Sequence, residues 1–116
     1  MQYAVPMLDP VAGQLEKYMD LLSARQRLVA GNIANADTPG YHALDIDFQS
    51  EFQNAVSGPP RAVEVSGLVV KNDGNNVSLD REARLLAENA LRFQVASALL
   101  RSEIQNVQSA IKEGAS

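Results

Sequence analysis

No cysteine occurs anywhere in the 116 residues of the chain. Disulfides, thiolate metal sites and cysteine nucleophiles are excluded together, and folding is indifferent to whether the compartment is oxidising. Tryptophan is absent too, and aromatic residues amount to only 5%. That favours helix packing through Leu, Val, Ile and Ala over a bulky globular core. Histidine is reduced to His42, and a lone His without nearby Cys or a second His reads as a surface residue, not a metal ligand. Positive charge is in deficit, with 10 Lys and Arg against 14 Asp and Glu, a net charge of -4 and a pI near 4.8. Binding to a phosphate backbone needs a positive face, so nucleic acid is not an expected partner.

Long apolar runs are missing as well. Nothing approaches the roughly 18 to 20 residues that cross a bilayer, so direct membrane insertion is not expected. The segment Met1 to Pro10 has no basic n-region and no long apolar h-region, and the first positive charge is Lys17. A cleavable secretory signal is therefore not expected. Catalytic patterns are equally scarce: no serine sits in a nucleophile elbow and no Gly-rich phosphate loop occurs. Asp45 and Asp47, two apart on a strand, would share a face beside water and read as solvated charges, not an acid/base dyad. Asp73-Gly74-Asn75 resembles part of a calcium loop but lacks the regular acidic ligands and the closing Glu. No enzyme, no cofactor and no metal is expected.

The 46% of apolar residues that are present fall into periodic stripes. Asp9 caps and Pro10 opens a helix expected over 10–36. Leu15, Leu22, Val29 and Ala36 recur every seven residues, Met19 and Ile33 fall beside them, and Leu21 and Leu28 widen the stripe. Arg25 and Gln26 interrupt it. A second helix is expected over 77–112, with Ser78 as N-cap and Asp80 and Glu82 in the first turn, where the helix dipole favours acids. Its seam is sustained: Leu79, Leu86, Phe93, Leu100 and Val107 on one row, and Ala83, Ala90, Ser97, Ile104 and Ile111 on the other. Such a helix is about 50 Å long, against about 30 Å for a compact domain of this size. Leu91, Val95 and Leu99 form a second stripe that one partner helix cannot also cover. Either a helical hairpin leaves scattered apolar residues exposed, or the helix meets several neighbours in an assembly; the pattern alone leaves both open.

The middle, 37–76, reads differently. Leu44, Ile46 and Phe48 alternate like a strand, while Phe48, Phe52 and Val56 are spaced like a short helix. Ser57-Gly58-Pro59-Pro60 is a break. Val63 and Val65 are expected to pair with Leu68, Val69 and Val70 as a hairpin across Ser66-Gly67. Asn72-Asp73-Gly74-Asn75-Asn76 is a polar turn leading into the long helix.

Between the first helix and this middle lies Asn32-Ile33-Ala34-Asn35-Ala36-Asp37-Thr38-Pro39-Gly40-Tyr41. Asn32 and Asn35 suit a fraying helix end, since they tolerate left-handed backbone and bond nearby backbone groups. Thr38 is pushed out of helical geometry by the proline that follows. Pro39-Gly40 fits the centre of a type II turn with positive φ at Gly40, after which Tyr41 can bury its ring. A helix stop plus a turn explains most of the segment without a ligand.

This segment, at the end of an N-terminal helix, resembles the signature of the bacterial flagellar rod and hook family. Leu8-Asp9-Pro10, Tyr41 to Phe48, Asp73 to Leu79, Asp80-Arg81-Glu82 and Leu86-to-Gln94 extend the resemblance over nearly the whole chain, most weakly at 50–72. Most rod and hook subunits end in a helix with Glu-Met and Arg-Ala-Tyr, whereas this chain has "LLAENALRFQVASALL", which is similar to proximal-rod members. The resemblance implies a mainly α fold: two long terminal helices packed antiparallel as a coiled-coil-like hairpin, with a short irregular, β-containing middle, in one rod-subunit domain over 1–116. It implies a structural subunit of the hollow axial drive shaft, with residues 32–41 as a joint at subunit contacts. Its partners would be copies of itself, other rod and basal-body proteins, and the type III export apparatus, which would deliver it uncleaved to the periplasm-spanning rod. The competing reading is a cytoplasmic helical-hairpin adaptor or export chaperone dimerising through the heptad seam; a small metal-binding or hydrolytic enzyme is a distant third.

Overall fold

A computed structural model describes residues 9–54 and 58–115. Leu8, Val56 and Ser57 lie outside them, and with these residues part of the Leu8-Asp9-Pro10 motif, the Phe48-Phe52-Val56 spacing and the start of the Ser57-to-Pro60 break. In chain order the elements are α1 (Pro10–Ala34), β1 (Leu44–Asp45), α2 (Phe48–Gln53), β2 (Val63–Glu64) and α3 (Leu79–Ala115). The molecule is elongated, 69 × 26 × 20 Å, because α3 alone is about 55 Å long at roughly 1.5 Å per residue.

Both long helices start on side-chain caps. Asp9 Oδ1 accepts from Val11 N at 3.1 Å, with Pro10 in the first helical position, where a missing N–H costs nothing. Ser78 Oγ accepts from Arg81 N at 3.2 Å. α1 ends at Ala34, two residues short of the expected boundary. The N–H of Asn35 divides between Gly31 O and Asn32 O at 3.0 and 3.2 Å, which tightens the last turn and closes the helix. Three cross-contacts fix the helices as antiparallel. Asn32 meets Glu82, Leu22 and Gln26 meet Asn89, and Leu15 lines a groove with Val95 and Leu99.

The α1 stripe faces inward as its period predicts. Ala12, Leu21, Leu22, Ala24 and Val29 are buried there. The α3 seam does not. Leu79, Leu86, Phe93 and Ile111 are exposed, Ala83 and Ala90 likewise, while Leu100, Ile104 and Val107 are half-buried. The face of α3 that meets α1 carries Glu82, Leu85, Asn89 and Ala96 instead, one residue step around the helix. Adjacent positions are about 100° apart, so that step turns the heptad seam to one flank of the contact and Leu91, Val95 and Leu99 to the other. Among the described residues, Ala96 is the one fully buried apolar side chain of α3.

The middle folds back onto the helix pair. β1 pairs with β2 antiparallel, Leu44 opposite Glu64 and Asp45 opposite Val63. The hairpin expected across Ser66-Gly67 is not formed. Gly67 does turn, with φ 77°, but the turn sends Leu68 into a small cluster with Ala36, Ala43, Tyr41, Val65 and Val77, leaving Val69 and Val70 outside. Burying one leucine there replaces a two-stranded ribbon that would have been marginal alone. α2 starts on Asp47, whose carboxylate accepts from Ser50 N at 3.3 Å. Its Phe48 and Phe52 stand edge-on to Tyr18, with ring centroids 5.3 and 6.1 Å apart, and Arg25 lies over Phe48 at 5.1 Å.

Burial on α1 and exposure on α3 give opposite expectations for two leucines. Leu22→Ala, at a fully buried position, should lower stability by about 2–5 kcal/mol in urea unfolding. Leu79→Ala should change it by about 0.5 kcal/mol or less. Equal losses would mean that the α3 seam is internal after all.

Candidate functional site: a polar clamp and two apolar flanks

Where α1 ends, it is fastened by one side chain. Asn32 lies in the last turn and is completely buried. Its Nδ2 donates to Leu44 O at 2.9 Å and to Glu82 Oε1 at 2.8 Å; its Oδ1 accepts from Leu44 N at 3.0 Å and from Tyr41 OH at 3.2 Å. A carboxamide has two donor hydrogens and two acceptor sites, and all four are used. The pair of bonds to Leu44 has the pattern of a neighbouring strand, so the amide closes the edge of β1 that faces away from β2. Asn32 is therefore not at a fraying end, as its place before the turn suggested. Asn35 is the C-cap, with φ -106° and no left-handed backbone.

Glu82, also completely buried, shares its second oxygen with Arg81, whose Nη1 donates to Oε2 at 2.8 Å. Arg81 Nη2 donates to Asp45 Oδ2 at 2.6 Å, and Arg25 Nε donates to Asp45 Oδ1 at 2.9 Å. Two carboxylates and two guanidinium groups thus join α1, β1 and α3 in a chain that sums to zero charge. Asp45 is not the solvated strand charge expected: it is buried between two arginines, and Asp47 is no partner for it but the cap of α2. Buried charges persist only when matched, and these are matched.

A second set of bonds holds residues 35–43 against 71–77. Tyr41 N donates to Thr38 O at 3.2 Å and Gly40 has φ 76°, which makes Thr38-Pro39-Gly40-Tyr41 a type II turn. Gly40 N donates to Asp73 O at 2.9 Å, and a Cβ on Gly74 would come within 3.3 Å of the Gly40 Cα. The buried Asn75 side chain donates to Asn35 O at 2.9 Å and to Thr38 O at 2.8 Å, and accepts from Val77 N at 2.8 Å. Asn76 Oδ1 accepts from Ala43 N at 2.7 Å, and Lys71 Nζ reaches Ala36 O at 3.1 Å. The 32–41 segment is fastened along its length. Within it Ile33, Ala34, Asp37, Thr38, Pro39 and Gly40 are exposed around the buried Asn32.

Sequence reasoning singled out the first half of this clamp and missed its counterpart. Arg25, Asp45, Asn75, Asn76, Arg81, Glu82 and Asn89 carry most of the bonds. The adjacent Asn75-Asn76 beside Gly74 was the available signal. His42 lies at the surface, 2.8 Å from Glu64 Oε1. Among the described residues no group of His, Cys, Asp or Glu is arranged to hold a metal, and no helix is long and apolar enough to cross a membrane. The clamp's amides and charges are directed at one another and at backbone, which is the chemistry of a fastener.

Two apolar grooves run along the helix pair. Leu22, Ser23, Asn89, Ala90 and Phe93 line one; Leu15, Tyr18, Leu91, Val95 and Leu99 line the other, and Arg92 is shared by that second groove and a further recess at Phe48 and Phe52. The predicted seam residues therefore divide. Leu15, Leu22 and Val29 contribute to the helix pair, and Leu79, Ala83, Leu86, Ala90, Phe93 and Ile111 face outward.

The flagella basal body rod protein family model matches residues 19–42, the end of α1 and the first half of the clamp. The chain is 31% identical to the flagellar basal body rod protein FlgB of Escherichia coli (strain K12), over 93% of this chain and 99% of the relative. It is 33% identical to FlgB of Salmonella typhimurium over the same shares, and 27% identical to FlgB of Borrelia hermsii over 83% and 91%.

Two pairs of substitutions separate a clamp from a simple helix stop. Asn32→Asp keeps the shape but removes both donors and sets a carboxylate beside Glu82, so it should cost on the order of 3 kcal/mol. The same change at Asn35, which loses one bond to Gly31 O, should cost about 1 kcal/mol. At position 40, Gly40→Val should be worse than Gly40→Asn by about 1–2 kcal/mol, since a β-branched residue is strained at positive φ. Thermal unfolding followed by circular dichroism reads both comparisons, and parity within either pair would remove the clamp argument at that residue.

Proposed function

The chain belongs to the flagellar basal body rod protein family, and we propose that it is a structural subunit of the proximal rod, built through its terminal helices into the hollow axial drive shaft. One observation supports this most: α3 is paired with α1 on a polar-studded face while apolar stripes on both of its flanks stay uncovered. Apolar residues in two separate grooves on one long helix call for two different neighbours. A subunit whose two contact faces differ joins head to tail, and such contacts build rings or open helical structures, not closed dimers.

On this reading copies of the chain and other rod and basal-body proteins cover the flanks, and the clamp holds the middle in a fixed orientation on the helix pair. The residues 32–41 act as a fastening near subunit contacts, with Ile33, Asp37, Thr38 and Pro39 available at the surface. The protein is not an enzyme. It travels to the periplasm-spanning rod through the flagellar type III apparatus without cleavage, a route that suits a chain without cysteine. A cytoplasmic adaptor that dimerised through the α3 seam would use one flank and leave Leu91, Val95 and Leu99 without a role.

Phe93→Asp tests the assignment. Phe93 is 38% exposed in the isolated chain, so the variant should fold, with helical circular dichroism unchanged. Complementation of a strain lacking this protein should fail, because a charge would be buried in an apolar contact at a cost of several kcal/mol. Wild-type swimming with Phe93→Asp would count against the rod assignment.

A further inference from the structure

The contact between α1 and α3 is made on a less apolar face of α3 than the stripe beside it. Positions 82 and 89 toward α1 are Glu and Asn; the adjacent positions 79, 83, 86 and 90 are Leu, Ala, Leu and Ala. Hydrophobic burial alone favours turning α3 by about one residue step, roughly 100°, so that Leu86 and Ala90 replace Leu85 and Asn89 against α1. The observed face is held by directional bonds. Asn89 Nδ2, on a buried residue, donates to Leu22 O at 2.7 Å and to Gln26 Oε1 at 3.1 Å, midway along the pair. Glu82 Oε1 supplies the fourth partner of Asn32 at one end of it. Turning α3 would break these bonds and leave the buried Asn32 amide on α1 without its fourth partner.

We propose that Asn89 and Glu82 are the specificity-determining residues of the helix pair: they select the face of α3 that meets α1 and so keep the apolar stripes outward for assembly. This rests on the reading of those flanks as assembly surfaces. Buried polar groups in helix pairs are known to fix register and partner while adding little stability. Here they would prevent the chain from satisfying its own assembly face. The apolar contact is non-directional and tolerates rotation, whereas an amide-to-carbonyl bond does not. The arrangement works by exclusion: the alternative packing buries more apolar surface but gives up the Asn89 bonds and leaves the buried Asn32 amide short of a partner.

The absence of cysteine provides a direct readout. A thiol is introduced in the full chain by Leu86→Cys on the seam flank or by Leu99→Cys on the opposite flank, and maleimide labelling rates are measured. The backgrounds are wild type, Asn89→Ala, and Asn89→Ala with Glu82→Ala. Selection predicts opposite changes in the double background: labelling at 86 slows at least about fivefold as that flank turns toward α1, and labelling at 99 accelerates. Asn89→Ala alone, with the clamp intact, should move both rates in the same directions by a smaller factor. Unchanged rates at both sites in a helical variant would overturn the proposal. So would acceleration at both sites together, which would mean that the amides hold the pair closed without choosing its face. Labelling reads the isolated chain, so its outcome stands apart from the assembly role. If the rates move oppositely and the double variant still supports swimming, the flanks are not the assembly surface, although the selection is real.

Discussion

Four hydrogen bonds converge on the Asn32 carboxamide, and the rest of the structure is arranged around keeping them. They tie the last turn of α1 to both backbone groups of Leu44, to the Tyr41 hydroxyl and to Glu82 at the start of α3. Because the group is completely buried, each bond that is not made costs its full desolvation. The amide consequently dictates where β1 runs, which way Tyr41 points and how far α3 may turn. The inner edge of β1 at Leu44 would otherwise need a second strand; the Asn32 side chain takes its place.

The charges next to Asn32 follow from the same constraint. Glu82 can be buried only if its second oxygen is matched, and Arg81 matches it. Arg81 then spans to Asp45, and Asp45 takes Arg25, so that the sequence of partners ends on α1, where it began. Such a closed neutral set adds less to stability than its bond count implies, since the desolvation of four ions offsets most of the attraction. Its effect is on geometry. Removing one member leaves the set with a net charge in a part-buried place, so the members depend on one another.

A clamp of this kind at one end and Asn89 in the middle make the helix pair a rigid beam with a defined azimuth. Asn75 and Asn76, through backbone carbonyls and amides, tie the chain that leaves α1 to the chain that enters α3. α3 then continues about 55 Å in one line with apolar residues on either side of its contact with α1.

What depends on near neighbours along the chain could be read from the residues alone. Both long helices and their caps at Asp9 and Ser78 were legible, because a helix closes its bonds within four residues and its caps within three. The glycine turn at Pro39-Gly40 was legible for the same reason, whereas at Phe48 the spacing left strand and short helix open, and the fold has one after the other. The terminal boundaries shifted by two or three residues, since helix ends answer to local capping contacts. Which stripe faces which partner was settled by long-range contacts in the fold. Period three-and-four marks an apolar row but not what covers it, and the inward face of α3 was chosen by Asn89 and Glu82 through bonds to residues 50 and more positions away. The strand pairing of β1 with β2, the burial of Asp45 and the second half of the clamp were hidden likewise. Each rests on a hydrogen bond or ion pair across a long sequence gap, and a directional contact of that kind leaves no periodic trace in the chain.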